Sequence, residues 1–213
     1  MPGSLAFILL DGPLITTIKN WDRLLFKKIN HDWTNSFLDG IFPIWREAIT
    51  WVPLYIFLLI LVLINFGAKA WPWIVAFIVT VTLTDQVSSH LIKPFVNRAR
   101  PCYDVLLADQ IRLLMGYCSS SRGFPSSHAT NHFGIAIFIY RTMKPYFGKW
   151  CYLFFLWAAS ISYGQLYIGV HYPSDVIVGA LLGTVIGYIT SSLLNKNFGT
   201  PSLRYQQKLA STL

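Results

Sequence analysis

The sequence predicts an all-α protein, a polytopic membrane bundle of about five transmembrane helices, six if a weaker segment also crosses, preceded by an amino-terminal amphipathic helix lying in the interface. Three observations predict it. Hydrophobic residues make up 54% of the 213 and charged residues only 12%, a balance too apolar for an ordinary soluble domain. The apolar residues gather into segments near the roughly 20 that a helix needs to cross hydrocarbon. Trp51, Trp71, Trp73 and Trp150 stand close to segment ends, where interfacial anchors belong.

Residues 4–10 are apolar but too short to cross, and without a basic start they are not a secretory signal. Over 18–30, Ile18, Trp21, Leu24, Leu25 and Ile29 recur at helical spacing while Lys19, Arg23, Lys27 and Lys28 take other faces. This predicts a helix in the membrane interface, with an amphipathic helix packed on the bundle as the alternative. Asp39, Arg46 and Glu47 count against a sixth span over 36–49. Residues 51–67 carry no charge and form the first span. The second, 71–91, turns polar halfway, at Asp85, Gln86, Ser88, Ser89 and His90, of which Asp85 and His90 are expected to face an interior or cavity rather than lipid. The third covers 127–140 and continues to Met143, the fourth 150–168, the fifth 176–194. Three regions result: an interfacial segment over 1–50, a transmembrane domain over 51–194 that carries the candidate chemistry, and a polar tail over 195–213.

A net charge of +8 raises nucleic acid as a partner, yet the basic residues are scattered rather than gathered in one stripe. A phosphate-bearing substrate and the anionic headgroups of the bilayer account for them better. Alternating spans put the amino-terminal segment and the loops after spans two and four on one face. The other face carries Lys69, Arg141, Lys144, Lys149, Lys196, Arg204 and Lys208, cytoplasmic by the positive-inside rule once candidate ligand-binding cations are set aside. The site is therefore expected on the extracytoplasmic face. Cys102 and Cys118 share the loop after span two. A disulfide there would close a loop of about seventeen residues in an oxidising compartment and stabilise by about 3 kcal/mol, with two free thiols as the alternative. Cys151 begins a span and is expected to be inert.

Three islands on the shared face carry chemistry. In KPFVNRARP, residues 93–101, the cations Lys93, Arg98 and Arg100 are costly beside a membrane unless an anion neutralises them. Lysine supplies a point charge and arginine a planar fork, and together they can grip one phosphate; nonspecific headgroup binding is the plain alternative. In FPSSHAT a helix begins near Ser126 or Ser127, offering unpaired backbone N–H groups to an anion, with His128 in the first turn placed to protonate a leaving oxygen. Ser126 as a simple N-cap with an exposed His128 explains the same residues. His171 and Asp175 stand four apart ahead of span five. Asp175 can hold one imidazole N–H and leave the other nitrogen nucleophilic, or it can merely cap the helix. A metal is the rival reading, since His128 and His132 share a helix face, but no carboxylate or cysteine accompanies them and the nearby cations would repel a divalent ion. His132 is expected to be a packed residue, and no cofactor is expected.

Together the islands resemble the type 2 phosphatidic acid phosphatase superfamily, whose fingerprint is K-x6-RP, PSGH and SR-x5-H-x3-D. They stand here as Lys93 through Arg100-Pro101, as Pro125-Ser126-Ser127-His128, and as Gly164-Gln165 through His171 and Asp175. The resemblance implies a helical bundle in which His171 attacks phosphorus to form a phosphohistidine, Asp175 orients it, and His128 protonates the departing oxygen and later activates water, without a metal. It implies that Lys93, Arg100, Ser126 and the backbone of Ser127 hold the phosphate oxygens. The implied substrate is a lipid phosphate such as phosphatidic acid, phosphatidylglycerophosphate or undecaprenyl diphosphate, in a bacterial inner membrane. Two departures stand out. Ser127 replaces a glycine, and Gly164-Gln165 replaces serine and arginine, so one expected cation becomes a neutral donor, Gln165. Arg98 or Arg122 is expected to supply the missing charge. Rival functions are a phosphatase or phosphotransferase acting on soluble sugar phosphates or lipid A and, from another class, a lipid or ion transporter using Asp85 and His90.

Overall fold

Proline and glycine set many of the helix ends. The structure, a computed structural model, describes residues 12–107, 110–120 and 122–199, and its regular elements are all helical. Pro13 opens α1 (Pro13–Lys27) at the first turn, where its missing N–H is no loss, and a π-helical turn over Lys28–Asp32 prolongs it. Asn35 caps α2 (Ser36–Trp45), its side chain accepting the Leu38 N–H at 2.9 Å. At 10 residues α2 extends about 15 Å, half the hydrocarbon thickness, so the weak sixth segment does not cross as one straight helix.

α3 (Val52–Phe66) stops at Gly67, whose φ of 58° suits glycine, and α4 (Trp71–Asp85) follows. Where its sequence turns polar α4 does not stop. It continues as a π-helical turn over Gln86–Ile92 into the short α5 (Lys93–Val96), which ends at Asn97 in the left-handed region. α6 (Ser127–Phe147) runs on past Met143. α7 (Tyr152–Tyr167) and α8 (Pro173–Phe198) complete the order, and α8 carries helix past residue 194 into the polar tail. The apolar stretch 4–10 and the rest of the tail from 200 lie outside the described residues.

Two stretches among the described residues have the length and apolarity to cross a membrane, Ala48–Tyr103, which holds α3, α4 and α5, and Pro173–Phe198. α6 is not among them, for a physical reason. It buries Ala129, Thr130, His132, Phe138, Ile139, Thr142 and Met143 against its neighbours, so several of its polar residues meet protein rather than lipid.

The tightest seam joins α6 to α8. Gly179, Gly183 and Gly187 recur every fourth residue on α8 and face α6. A Cβ at 179 would lie 2.6 Å from the Ser126 carbonyl oxygen, and at 183 and 187 it would run into the carbonyls of Thr130 and Gly134. The two backbones are in contact, as small residues at helical spacing permit. Around this pair, Leu58, Val62, Phe66, Trp73, Phe138, Ile161 and Leu194 form the main apolar core, pinned by buried hydrogen bonds from Trp73 Nε1 to Thr142 at 2.9 Å and between Thr80 and Thr190 at 2.8 Å.

The amino-terminal helices wall one end of this bundle. α1 turns Leu14, Ile18, Trp21 and Leu24 outward, while its inner face buries Phe26 and, against its apolar neighbours, Asp22. Ile29 and Phe42 join Leu166, Tyr167, Ile168 and Val170 in a second core, and Asn30 donates to the carbonyls of Arg112 and Tyr167 at 2.9 and 2.7 Å. The loop before α6 is closed by a disulfide between Cys102 and Cys118, with Cα atoms 6.2 Å apart, whereas Cys151 is free and buried.

Candidate active site

Asp175 occupies the first turn of α8, where its Oδ2 accepts the Tyr172 N–H at 2.9 Å, so its role as a helix cap is real. Capping leaves room for a second role. The same oxygen lies 3.6 Å from His171 Nδ1, slightly beyond hydrogen-bond length, and Nδ1 has no hydrogen-bond partner. On the other edge of the ring, Arg100 Nη1 comes within 3.2 Å of Nε2 and donates to the Val170 carbonyl at 2.8 Å. A guanidinium can only donate, which assigns the lone pair to Nε2 and the proton to Nδ1, facing the carboxylate. That is the tautomer a nucleophilic Nε2 requires. His171 is 2% exposed; burial pushes its pKa down to about 4, Asp175 pulls upward against this, and Arg100 adds to the lowering. The ring is neutral at pH 7.

The second wall is the start of α6. The Ser126 N–H donates to the Asp175 carbonyl at 2.9 Å, tying the first turns of α6 and α8 together by one backbone bond. Ser126 itself is buried and caps α6, its Oγ accepting the Ala129 N–H at 3.5 Å. Ser127 points the other way. Its Oγ accepts Lys93 Nζ at 2.7 Å and meets Ser89 Oγ at 2.8 Å. Between these walls is a cavity of about 290 Å³ whose lining includes Lys93, Arg100, Ser127, His128 and His171. Cations, hydroxyls and two imidazoles converge there, and among the described residues no carboxylate lines it. Such a surface suits an anion with several oxygens.

Not every expected residue reaches the cavity. Arg98 turns behind His171: Nη1 donates to Asp175 Oδ1 at 2.8 Å, Nη2 to Asp22 Oδ2 at 2.6 Å, and the guanidinium lies over the Tyr172 ring at 4.4 Å. Arg122 is exposed and bonded to Asn97. Neither is placed to replace a lost phosphate ligand, because each is committed elsewhere. Gln165 is fully buried in α7, its amide donating to the Ile161 carbonyl at 3.4 Å, and it does not line the cavity. His132 bonds the His128 carbonyl through Nδ1 at 2.7 Å and packs its ring on Trp157, as a packed residue would. Among the described residues no three His, Cys, Asp or Glu side chains gather as metal ligands. His90 is exposed rather than facing an interior, which corrects the sequence expectation, and Asp85 accepts from Ser89 at 3.2 Å. A polar relay through the second span is therefore not assembled.

Two charged residues outside the three islands bear on the site, one behind it and one in its lining. Asp22 accepts the Ser174 N–H at 2.8 Å and its hydroxyl at 2.5 Å besides pairing Arg98, making a buried Asp22–Arg98–Asp175 chain behind His171. Arg46, at the end of α2, lines the cavity itself. Arg46 was visible as a charge in a largely apolar stretch, which near a membrane marks function more often than accident, whereas Asp22, beside Lys19, Asn20 and Arg23, carried no such signal.

The Arg98 geometry has a kinetic consequence. Arg98→Ala is expected to lower kcat about tenfold with KM nearly unchanged, since it loosens Asp175 without touching bound phosphate. Steady-state phosphate release checks this, and a rise in KM with kcat preserved would place Arg98 on the substrate after all.

Comparison with known proteins identifies the family. Residues 70–198 match the PAP2 superfamily. Lipid A 4′-phosphatase of Bacteroides thetaiotaomicron is 35% identical over 165 residues, covering 76% of this chain and 72% of that protein. Phosphatidylglycerophosphatase B of Bacillus subtilis is 25% identical over 221 residues, covering 96% of each. The crystal structure of Aquifex aeolicus LpxE aligns with a TM-score of 0.58 at 30% identity, over 81% of this chain and 95% of that one.

Proposed function

The chain belongs to the PAP2 superfamily, and from that premise we propose that this phosphoric ester hydrolase of the membrane removes phosphate from a lipid-borne phosphate, with the sugar phosphate of lipid A as first candidate. The observation that carries the proposal is the carboxylate-free cavity in which His171 Nε2, backed by Asp175, shares space with His128, Lys93 and Arg100. His171 Nε2 attacks phosphorus, the P–N bond forming as the bond to the leaving oxygen breaks. His128 gives that oxygen its proton. In the second half His128 takes a proton from water, the hydroxide attacks phosphorus, and the P–N bond breaks to release inorganic phosphate and free His171. Lys93, Arg100 and Ser127 hold the oxygens on which charge gathers, and no step needs a metal.

Lipid as substrate is supported by a second, apolar hollow in the molecule. Trp45, next in sequence to the cavity residue Arg46, lines an apolar groove of about 640 Å³ together with Leu54, Leu58, Leu61 and Trp157. A headgroup in the cavity leaves room for acyl chains along that groove. Relatives named for lipid A, phosphatidylglycerophosphate and undecaprenyl diphosphate point to the same class of molecule. We further propose that α3, α4, α6, α7 and α8 cross the membrane while α1 lies in the interface on its outward apolar face. The Cys102–Cys118 disulfide favours the extracytoplasmic side for the site.

The detergent-solubilised protein is expected to release phosphate from lipid A in the presence of EDTA, and to act more slowly on phosphatidic acid, phosphatidylglycerophosphate and undecaprenyl diphosphate. Silence on the whole panel would remove the phosphatase reading, and loss of release on adding EDTA would remove the metal-free mechanism.

A further inference from the structure

Relative to the superfamily fingerprint, the third island lacks a serine and an arginine, at Gly164 and Gln165. The structure shows what fills the first of these places. Phe42 of α2 lies against Gly164, and a Cβ there would come within 2.8 Å of the ring carbon Cδ1. α2 is thus seated on α7 at the very position where the fingerprint has a side chain. One turn beyond Phe42 the same helix ends in Arg46, which lines the cavity beside Arg100, His128 and His171.

The guanidinium of Arg46 is only partly engaged. Nη1 pairs with Glu47 Oε1 at 3.3 Å, a carboxylate whose side chain is 46% exposed, while Nε is buried without a hydrogen-bond partner among the described residues. Its charge is close enough to act on both Arg100 and His128. Like charges brought together in a small space are unfavourable unless an anion joins them; Glu47 meets only one edge of Arg46, and an arginine with a free donor edge is shaped for phosphate oxygens. We infer that Arg46 is a further phosphate-binding residue of this site, delivered by α2 in place of the arginine that the third island lacks at Gln165. The two changes are one exchange: α7 gives up a side chain so that α2 can dock, and docking brings the cation.

This rests on the proposed phosphatase chemistry only for its effect on turnover, since oxyanion binding is measurable alone. Orthovanadate is the probe, with the full-length protein in detergent as wild type, Arg46→Gln and Arg46→Lys. Vanadate should raise the melting temperature of the wild type and inhibit phosphate release. In Arg46→Gln the vanadate affinity read from the thermal shift should fall about ten- to a hundredfold, with KM for the lipid phosphate rising in parallel, and Arg46→Lys should recover part of it. The melting temperature without vanadate should stay at the wild-type value. Unchanged vanadate affinity in Arg46→Gln overturns the inference, as does a loss confined to the unliganded melting temperature, which would make Arg46 a structural residue. A wild type that binds vanadate through Arg46 but releases no phosphate would sink the phosphatase reading and leave this one standing.

Discussion

His171→Ala is expected to lower kcat for phosphate release by about four orders of magnitude or more, which is the scale seen when a nucleophile is removed from a covalent mechanism. The geometry explains why so much depends on one ring. Among the described residues, Nε2 is the only side-chain nitrogen of the cavity that combines an available lone pair with a carboxylate behind it, because His128 has no such partner and the other side-chain nitrogens belong to Arg46, Lys93 and Arg100. Incubation of the wild type with labelled substrate and a rapid quench should trap an acid-labile phosphoprotein that His171→Ala cannot form. If the variant still accumulates the labelled species, or keeps more than about a tenth of wild-type turnover, another nucleophile is at work. The pH profile follows from the same ring. Protonation removes the lone pair, and burial holds the pKa at about 4, so kcat/KM should keep the histidine active down to about pH 4 and fall below it, rather than through the ordinary histidine range.

Gly183→Val is expected to have the second large effect, on the fold rather than on the chemistry. The added side chain would enter the Thr130 carbonyl and the backbone of Gly134, where atoms cannot rotate aside. Overpacking against movable side chains costs about 1–3 kcal/mol, and against a backbone the helices themselves must separate. α6 and α8 carry His128 and Asp175, so a separated seam also dissolves the site. We expect Gly183→Val to give little monodisperse protein in detergent, and Gly183→Ala to fold with a lower melting temperature and reduced kcat. A Gly183→Val protein that melts with the wild type would show that the seam is less close than drawn.

Much of this was legible before the structure. Apolar length located α3, α4, α6, α7 and α8 as helices, missing some ends by a few residues, as at Phe147 and Phe198. The order and spacing of Lys93, Arg100, His128, His171 and Asp175 marked residues that meet in the structure, four lining one cavity and Asp175 behind His171. What stayed hidden was every partnership across long separations. Arg98 is as basic as Arg100 and two residues away, yet it faces Asp22 while Arg100 faces His171. Nothing local distinguishes the two, since the choice is made by a carboxylate 76 residues earlier. Arg46 was visible only as a reason to doubt a sixth span, for its use depends on how Phe42 meets Gly164.

The backbone bond from Ser126 to Asp175, together with the glycine seam below it, makes the two halves of the site ends of a single stiff strut. A helix in a bilayer answers changes in lipid thickness by tilting. Two helices in backbone contact tilt as one body. In the proposed membrane setting the interval between the His171 and His128 rings is thereby insulated from the bilayer, while α1 and α2, held by side chains, are left to follow its surface.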